Sequence, residues 1–249
     1  MRPGWAALVL SGLLLAAAPA ARGEEPPPDW TIDTFRWSGT LSPATSLVVR
    51  NPFGDVRLRA ADAGEVELSA MIQRRTADPV KPEVRVERRR GRLAVEVVYP
   101  VAPQGDLHRV DLALFVPAGA RISVETRDGL IEGRGLENDV RLESGGGDVV
   151  FSTTGSARVS SVRGNITADL RRDLWGRRPR LRTRLGNITL RLPSDADARV
   201  RIRASGEVAV QRPGRFERRT ARRSVFTLGN GSHSLTLETL RGQVTLLAP

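Results

Sequence analysis

An all-β fold, built on a parallel β-solenoid with a partly antiparallel N-terminal portion, is the class this sequence predicts. Three observations lead there. A short unit of Gly, a small polar residue and then a strand with β-branched or aliphatic alternation recurs along the chain. Period-2 apolar alternation is widespread, and no window of 11 or more residues keeps the i, i+3, i+4, i+7 spacing of an amphipathic helix. Aromatic residues make up only 4% of the 249 residues, so any core has to be assembled from Val, Leu, Ile and Ala.

Residues 1–23 read as a signal peptide: a basic Arg2, an apolar run from Trp5 to Ala18, and small residues that suit cleavage after Gly23. The run is too short to span a membrane, and no transmembrane segment is expected in the mature chain. Residues 24–29, with three consecutive prolines, read as a linker. The destination is therefore export, to the periplasm or the cell exterior. Without cysteine the chain can carry neither a lipid anchor on a thiol nor disulfides, so its stability has to come from burial and strand ladders.

Residues 30–117 form the first, strand-rich portion. Val84-Val86 and Leu93-Val95-Val97 alternate on either side of Arg89-Arg90-Gly91-Arg92, which predicts an antiparallel hairpin with Gly91 at a positive φ. Val110-Leu112-Leu114-Val116 is a further strand.

Residues 118–249 form the solenoid portion, continuous with the first. The repeat appears at Gly54-Asp55, Gly147-Asp148, Gly164-Asn165, Gly186-Asn187, Gly206-Glu207 and Gly242-Gln243, with Asp128-Gly129 as a shifted copy. From Gly129 the glycines advance to Gly147, Gly164, Gly186 and Gly206, close to one coil each. Each copy predicts a tight turn in which Gly takes a conformation barred to other residues and the polar side chain bonds the local backbone. A single rung cannot bury its own face, whereas stacked rungs make a continuous aliphatic column. A longer duplication supports this: Val116-Pro117-Ala118-Gly119-Ala120-Arg121-Ile122-Ser123-Val124 is echoed by Leu192-Pro193-Ser194-Asp195-Ala196-Asp197-Ala198-Arg199-Val200, with proline ending one strand and small residues leading into the next.

The stretches Ser46–Ala70, "LFVPAGARISVETRDG", "RLPSDADARVRIRASGEV" and "LGNGSHSLTLETLRGQVTLL" together resemble a bacterial domain-of-unknown-function family of β-strand-repeat, adhesin-like envelope proteins, over about Ser38 to Leu247. The resemblance implies a right-handed parallel β-helix-like or prism-like fold in an exported protein, and it carries no catalytic residues over.

Charge supplies the candidate site. The formal charge is +11, which becomes +9 once Arg2 and Arg22 leave with the leader, and Lys81 is the sole lysine. Positive charge here is arginine, whose planar fork suits phosphate and carboxylate. The densest cluster holds Arg171, Arg172, Trp175, Arg177, Arg178, Arg180, Arg182 and Arg184, a candidate surface for anionic lipid or acidic glycan. The plainer reading is that alternate arginines of a strand face water and deter edge pairing. Arg212 to Arg223 carries the same two readings. Nucleic acid is not expected as a partner, because an exported chain seldom meets it and the basic stretches lack interleaved aromatic residues.

No cofactor or metal is expected. Asp55, Asp148, Asn165, Asn187 and Glu207 are explained by turn chemistry, and the single Gly145-Gly146-Gly147-Asp148 run lacks the recurrence of a calcium nonapeptide. His108 and His233 are the only histidines, both read as surface residues, and no nucleophile motif occurs. The function expected is non-catalytic: an envelope scaffold or adhesin-like module, binding an envelope protein or an acidic surface. The alternative is a carbohydrate-active β-helix enzyme.

Overall fold

A computed structural model describes residues 30–43, 45–61, 64–76, 81–99, 108–172 and 175–248. The expected leader (1–23) and linker (24–29) lie outside these residues. The described residues contain 21 strands and no helix, arranged in a 10-stranded and an 11-stranded sheet. Inward positions of both sheets merge into one aliphatic core that runs from Leu41 to Leu246, with Phe151 and Phe226 as its buried aromatics.

Each coil of the chain contributes one strand to each sheet. In chain order the coils are β2 (Ser46–Phe53) with β3 (Val56–Ala61), β6 (Arg92–Val98) with β7 (His108–Pro117), β8 (Arg121–Asp128) with β9 (Ile131–Leu136), and β10 (Val140–Gly146) with β11 (Val149–Thr153). They continue as β12 (Ala157–Arg163) with β13 (Ile166–Leu170), β14 (Arg180–Leu185) with β15 (Ile188–Arg191), β16 (Ala198–Arg203) with β17 (Val208–Val210), and β20 (His233–Arg241) with β21 (Val244–Leu247). Antiparallel strands close the stack. At one end β1 (Trp30–Thr40) and β4 (Glu65–Arg75) lie on β7, while β5 (Glu83–Arg89) lies on β6 across the expected turn, where Gly91 has φ 70°. At the other end β19 (Arg223–Thr227) and β18 (Arg215–Arg219) lie on β16, so the chain is not purely parallel towards its C terminus as the repeat suggested.

Stacking order departs from chain order at both ends. The 11-stranded sheet runs β5-β6-β2-β8-β10-β12-β14-β20-β16-β19-β18, so the first coil sits second and the last coil sits second from the far end. The Gly206 coil is therefore separated from the Gly186 coil by the Gly242 coil, rather than following it directly. The echoed proline segments make this possible. The chain leaving β7 at Pro117 passes over the coil of β2 and β3 to reach β8, and the chain leaving β15 at Leu192-Pro193 passes over the coil of β20 and β21 to reach β16. Both crossings are tied down by one side chain. Asn138 Nδ2 donates to Pro117 O (2.9 Å) and Ala120 O (2.8 Å); Arg212 Nη1 donates to Leu192 O (3.0 Å) and its Nη2 to Pro193 O (2.7 Å).

The turns between the sheets stack into a glycine spine. Gly54, Gly129, Gly147, Gly164, Gly186 and Gly242 all have positive φ, and a Cβ on any of them would meet backbone of the adjoining coil within 1.9–2.3 Å. Gly206 departs from the expectation, since its φ is not positive. Arg203 aligns with Glu238 and Val208 with Val244, so the β16–β17 turn spans one residue fewer than its neighbour and closes without a left-handed residue.

Beside the glycines, side-chain carbonyls carry the ladder from coil to coil. Asp148 Oδ1 accepts Asn165 N–H (2.7 Å), Asn165 Oδ1 accepts Asn187 N–H (2.9 Å) and Asn187 Oδ1 accepts Gln243 N–H (2.9 Å). The recurrent spacing of these residues thus serves backbone satisfaction.

A second column lies inside the core: Asn51, Thr126, Ser144, Ser161, Thr183 and Thr239 are in register and buried. Thr183 Oγ1 donates to Gly164 O (2.9 Å) and Thr239 Oγ1 to Gly186 O (2.8 Å), which satisfies spine carbonyls, whereas Thr126 Oγ1 has no hydrogen-bond partner among the described residues. Thr183→Val is expected to cost about 1–3 kcal/mol by stranding a buried carbonyl, and Thr126→Val to be neutral or stabilising. Urea unfolding of the two variants checks the contrast.

Candidate polyanion interface

Alternation along each strand of the 11-stranded sheet sends aliphatic and hydroxyl residues inward and arginine outward. Parallel register then lines the arginines up across the coils. Arg141, Arg158 and Arg180 share one row with Thr236 and Arg201; the next row holds Glu143, Ser160, Arg182, Glu238 and Arg203. Neighbouring strands are about 4.8 Å apart, so these are close like charges on an open face.

Carboxylates neutralise part of the face. Arg141 Nε donates to Glu143 (2.7 Å), Arg180 and Arg203 share Glu238 (2.7 and 3.3 Å), and Arg199 pairs with Glu217. Glu217 is held below the usual carboxylate range, chiefly by the hydrogen bond from Thr227 Oγ1 (2.6 Å), with Arg199 adding to it. Arg158, Arg182, Arg184 and Arg201 are exposed and have no carboxylate partner among the described residues.

At the start of these strands a groove of about 280 Å³ crosses the coils of β2, β8, β10 and β12 and the segment leading into β14. Arg121, Arg141, Arg158, Arg177 and Arg178 line it with Ser46, Ser123, Asp139 and Ser156, over Ile122 and Val140. Asp139 Oδ1 is engaged by Ser156 N–H (2.8 Å).

The eight clustered residues expected from sequence do not form one site. Arg171 and Arg172 leave the end of β13 in the other sheet, where Arg171 pairs with Asp169 (3.4 Å). Trp175 is half-buried and packs against the core, so it is an anchor for the segment more than a stacking platform. Arg177 and Arg178 line the groove, and Arg180, Arg182 and Arg184 stand on the outer face of β14. Of the second group, Arg212 is structural, tied to the crossing at Leu192-Pro193, and desolvation by burial lowers its guanidinium pKa from the ordinary value. Arg219 stacks on the Phe216 ring at 4.7 Å. Arg222 and Arg223 line a second groove with Arg203.

Arg121, Arg141, Arg158, Arg201 and Arg203 were missed by a search for local clusters. Aligning the coils on their glycines exposes three of the row at once, because Arg141, Arg158 and Arg180 each stand six residues before Gly147, Gly164 and Gly186. His108 also differs from the expectation: it is buried, not on the surface, where it opens β7 beside β4 with its ring 6.0 Å from that of Tyr99.

The family model described as Toastrack DUF4097 matches residues 45–247. The chain belongs to this family. Stacked parallel coils closed by antiparallel strands are thus the toastrack architecture as this chain builds it. Among solved structures, a candidate cell adhesion protein from Clostridium sporogenes ATCC 15579 aligns with a TM-score of 0.53 at 13% identity, covering 87% of this chain and 100% of that one. A candidate adhesin from Bacteroides fragilis NCTC 9343 aligns with a TM-score of 0.42 at 12% identity, covering 86% and 97%. The first of these shows a shared fold. No curated protein sequence matches the chain.

Proposed function

We propose that this toastrack chain is a non-catalytic, exported adhesin-like module of the cell envelope, and that the arginine face of its 11-stranded sheet is the surface that holds acidic glycan or anionic lipid. The observation that carries this reading is the set of exposed arginines on that face, Arg158 and Arg201 in one row, Arg182 in the next and Arg184 beyond it, none of which has a carboxylate partner among the described residues. A flat field of one sign attracts an extended polyanion without requiring a deep pocket. The leader-like residues 1–23 and the cell-adhesion description of the Clostridium sporogenes neighbour both favour export and adhesion. A glycan-cleaving alternative calls for paired carboxylates, and Asp139, the one carboxylate lining the groove, is occupied by Ser156.

The test is binding of the chain from Glu24 to acidic polysaccharide and to anionic vesicles across a salt series, beside a variant with Arg158, Arg182, Arg184 and Arg201 changed to Ser. The variant is expected to bind at least about tenfold more weakly with a shallower salt dependence. A wild-type protein that ignores both surfaces at low salt, or that turns over the glycan, would sink the proposal.

A further inference from the structure

Within the arginine face, the groove at the start of the strands differs from the open rows beside it. It is concave, and the segment before β14 adds Arg177 and Arg178 to side chains of β8, β10 and β12. The segment that brings Arg177 and Arg178 is fixed on both sides: Ser156 Oγ donates to Arg177 O (2.9 Å), and Thr236 N–H donates to Pro179 O (3.1 Å). The backbone that carries these two arginines is thus fixed at the groove before any ligand arrives, which lowers the ordering cost of binding.

The charge of the groove narrows the ligand. Arg141 is engaged by Glu143, whereas Arg121, Arg158, Arg177 and Arg178 have no carboxylate partner among the described residues. Asp139 supplies one negative charge, with one oxygen committed to Ser156 N–H. A surplus of this size within a single groove matches a compact group carrying more than one negative charge. A phosphate monoester carries close to two at neutral pH, and its three terminal oxygens suit guanidinium forks approaching from different coils. The volume, about 280 Å³, lies below the roughly 300–1,000 Å³ of pockets that enclose a drug-sized ligand, so the groove admits a headgroup and leaves the rest of the molecule outside.

We infer that the groove between Arg121, Arg158, Arg177 and Arg178 is a site for a phosphate-ester group on the molecule the arginine face holds. This rests on the arginine face being a binding surface, and it assigns the face its chemical selectivity. The group is either a sugar phosphate or the phosphate of a lipid headgroup, the chemistry at the groove being the same.

Calorimetric titration with glucose 6-phosphate, with glucuronate as the carboxylate control, reads the selectivity. Vesicles of phosphatidylcholine with and without phosphatidate provide the lipid arm. Two variants are compared after their melting curves are matched to wild type: Arg158→Ser/Arg178→Ser in the groove and Arg182→Ser/Arg184→Ser on the open face. Glucose 6-phosphate is expected to bind at least about tenfold more tightly than glucuronate, and the groove variant to lose at least about tenfold per arginine, a loss at least about tenfold larger than the one the open-face variant shows. Groove-dependent binding of the phosphatidate vesicles points to a lipid source, and groove-dependent binding of the sugar phosphate alone points to a glycan source; both support the site. Equal binding of phosphate and carboxylate, or equal losses in the two variants, would overturn it while leaving the arginine-face reading in place. Absence of any polyanion binding by wild type would remove both.

Discussion

Gly147→Ala is expected to destabilise the protein by about 3–5 kcal/mol, from a left-handed backbone forbidden to alanine and from a collision that cannot relax. Gly147 sits mid-spine at φ 112°, and a Cβ there would lie 2.3 Å from Gly129 O and 2.7 Å from Gly129 C. The obstacle is backbone of the next coil, already hydrogen-bonded in register, so it has no side-chain rotamer to change. Gly91→Ala separates the two contributions. That residue has φ 70° in the β5–β6 turn with nothing within 4 Å of the added carbon, so only the conformational cost of about 1 kcal/mol remains. Urea unfolding of both variants gives the difference, and similar losses at the two positions would mean that the spine is less tightly stacked than described.

Deletion of residues 233–249 is expected to abolish cooperative unfolding of the C-terminal third, leaving β16 to β19 exposed to proteolysis. In a solenoid stacked in chain order, the last coil would be a dispensable end piece. Here it is an interior layer: β20 pairs with both β14 and β16, and β21 with both β15 and β17. Its removal takes Leu235, Leu237, Val244 and Leu246 from the core, each fully buried, at about 1.5–3 kcal/mol per side chain, and breaks two ladders in each sheet at once. Limited proteolysis followed by mass spectrometry reads the outcome, and a truncated protein whose β16–β19 region resists cleavage would refute the layer assignment.

Much of this fold was legible in the sequence. The absence of helix, the strand alternation, the hairpin turning at Gly91 and the repeat built on Gly54, Gly129, Gly147, Gly164, Gly186 and Gly242 all follow from local chemistry, and local chemistry is readable residue by residue. The stacking order was not legible, because neighbouring coils differ little in their aliphatic faces and nothing at Val244 or Val208 says which should lie against Ile188. The echo of Pro117 in Pro193 is the one available sign; in sequence it looks like a duplication, whereas the structure gives it the role of a crossing over a neighbouring coil. The candidate site was half legible for a related reason. Arg180, Arg182 and Arg184 announce themselves by crowding, while Arg121, Arg158 and Arg201 are solitary in sequence and become a group only through register. Trp175 was misplaced because an aromatic residue among arginines looks like a contact residue until its packing against the core is seen.

The crossing at Leu192-Pro193 and the edge position of β1 also decide how the molecule would bear a load. Tension entering beyond Leu247 meets a strand clasped by partners on both flanks, so its ladders must yield together, by sliding along their length. Tension entering before Trp30 meets β1, which among the described residues has β4 on one flank and no strand on the other, so its bonds can part in succession like the teeth of a zip. The same toastrack is therefore tough when held by one end of its chain and yielding when held by the other.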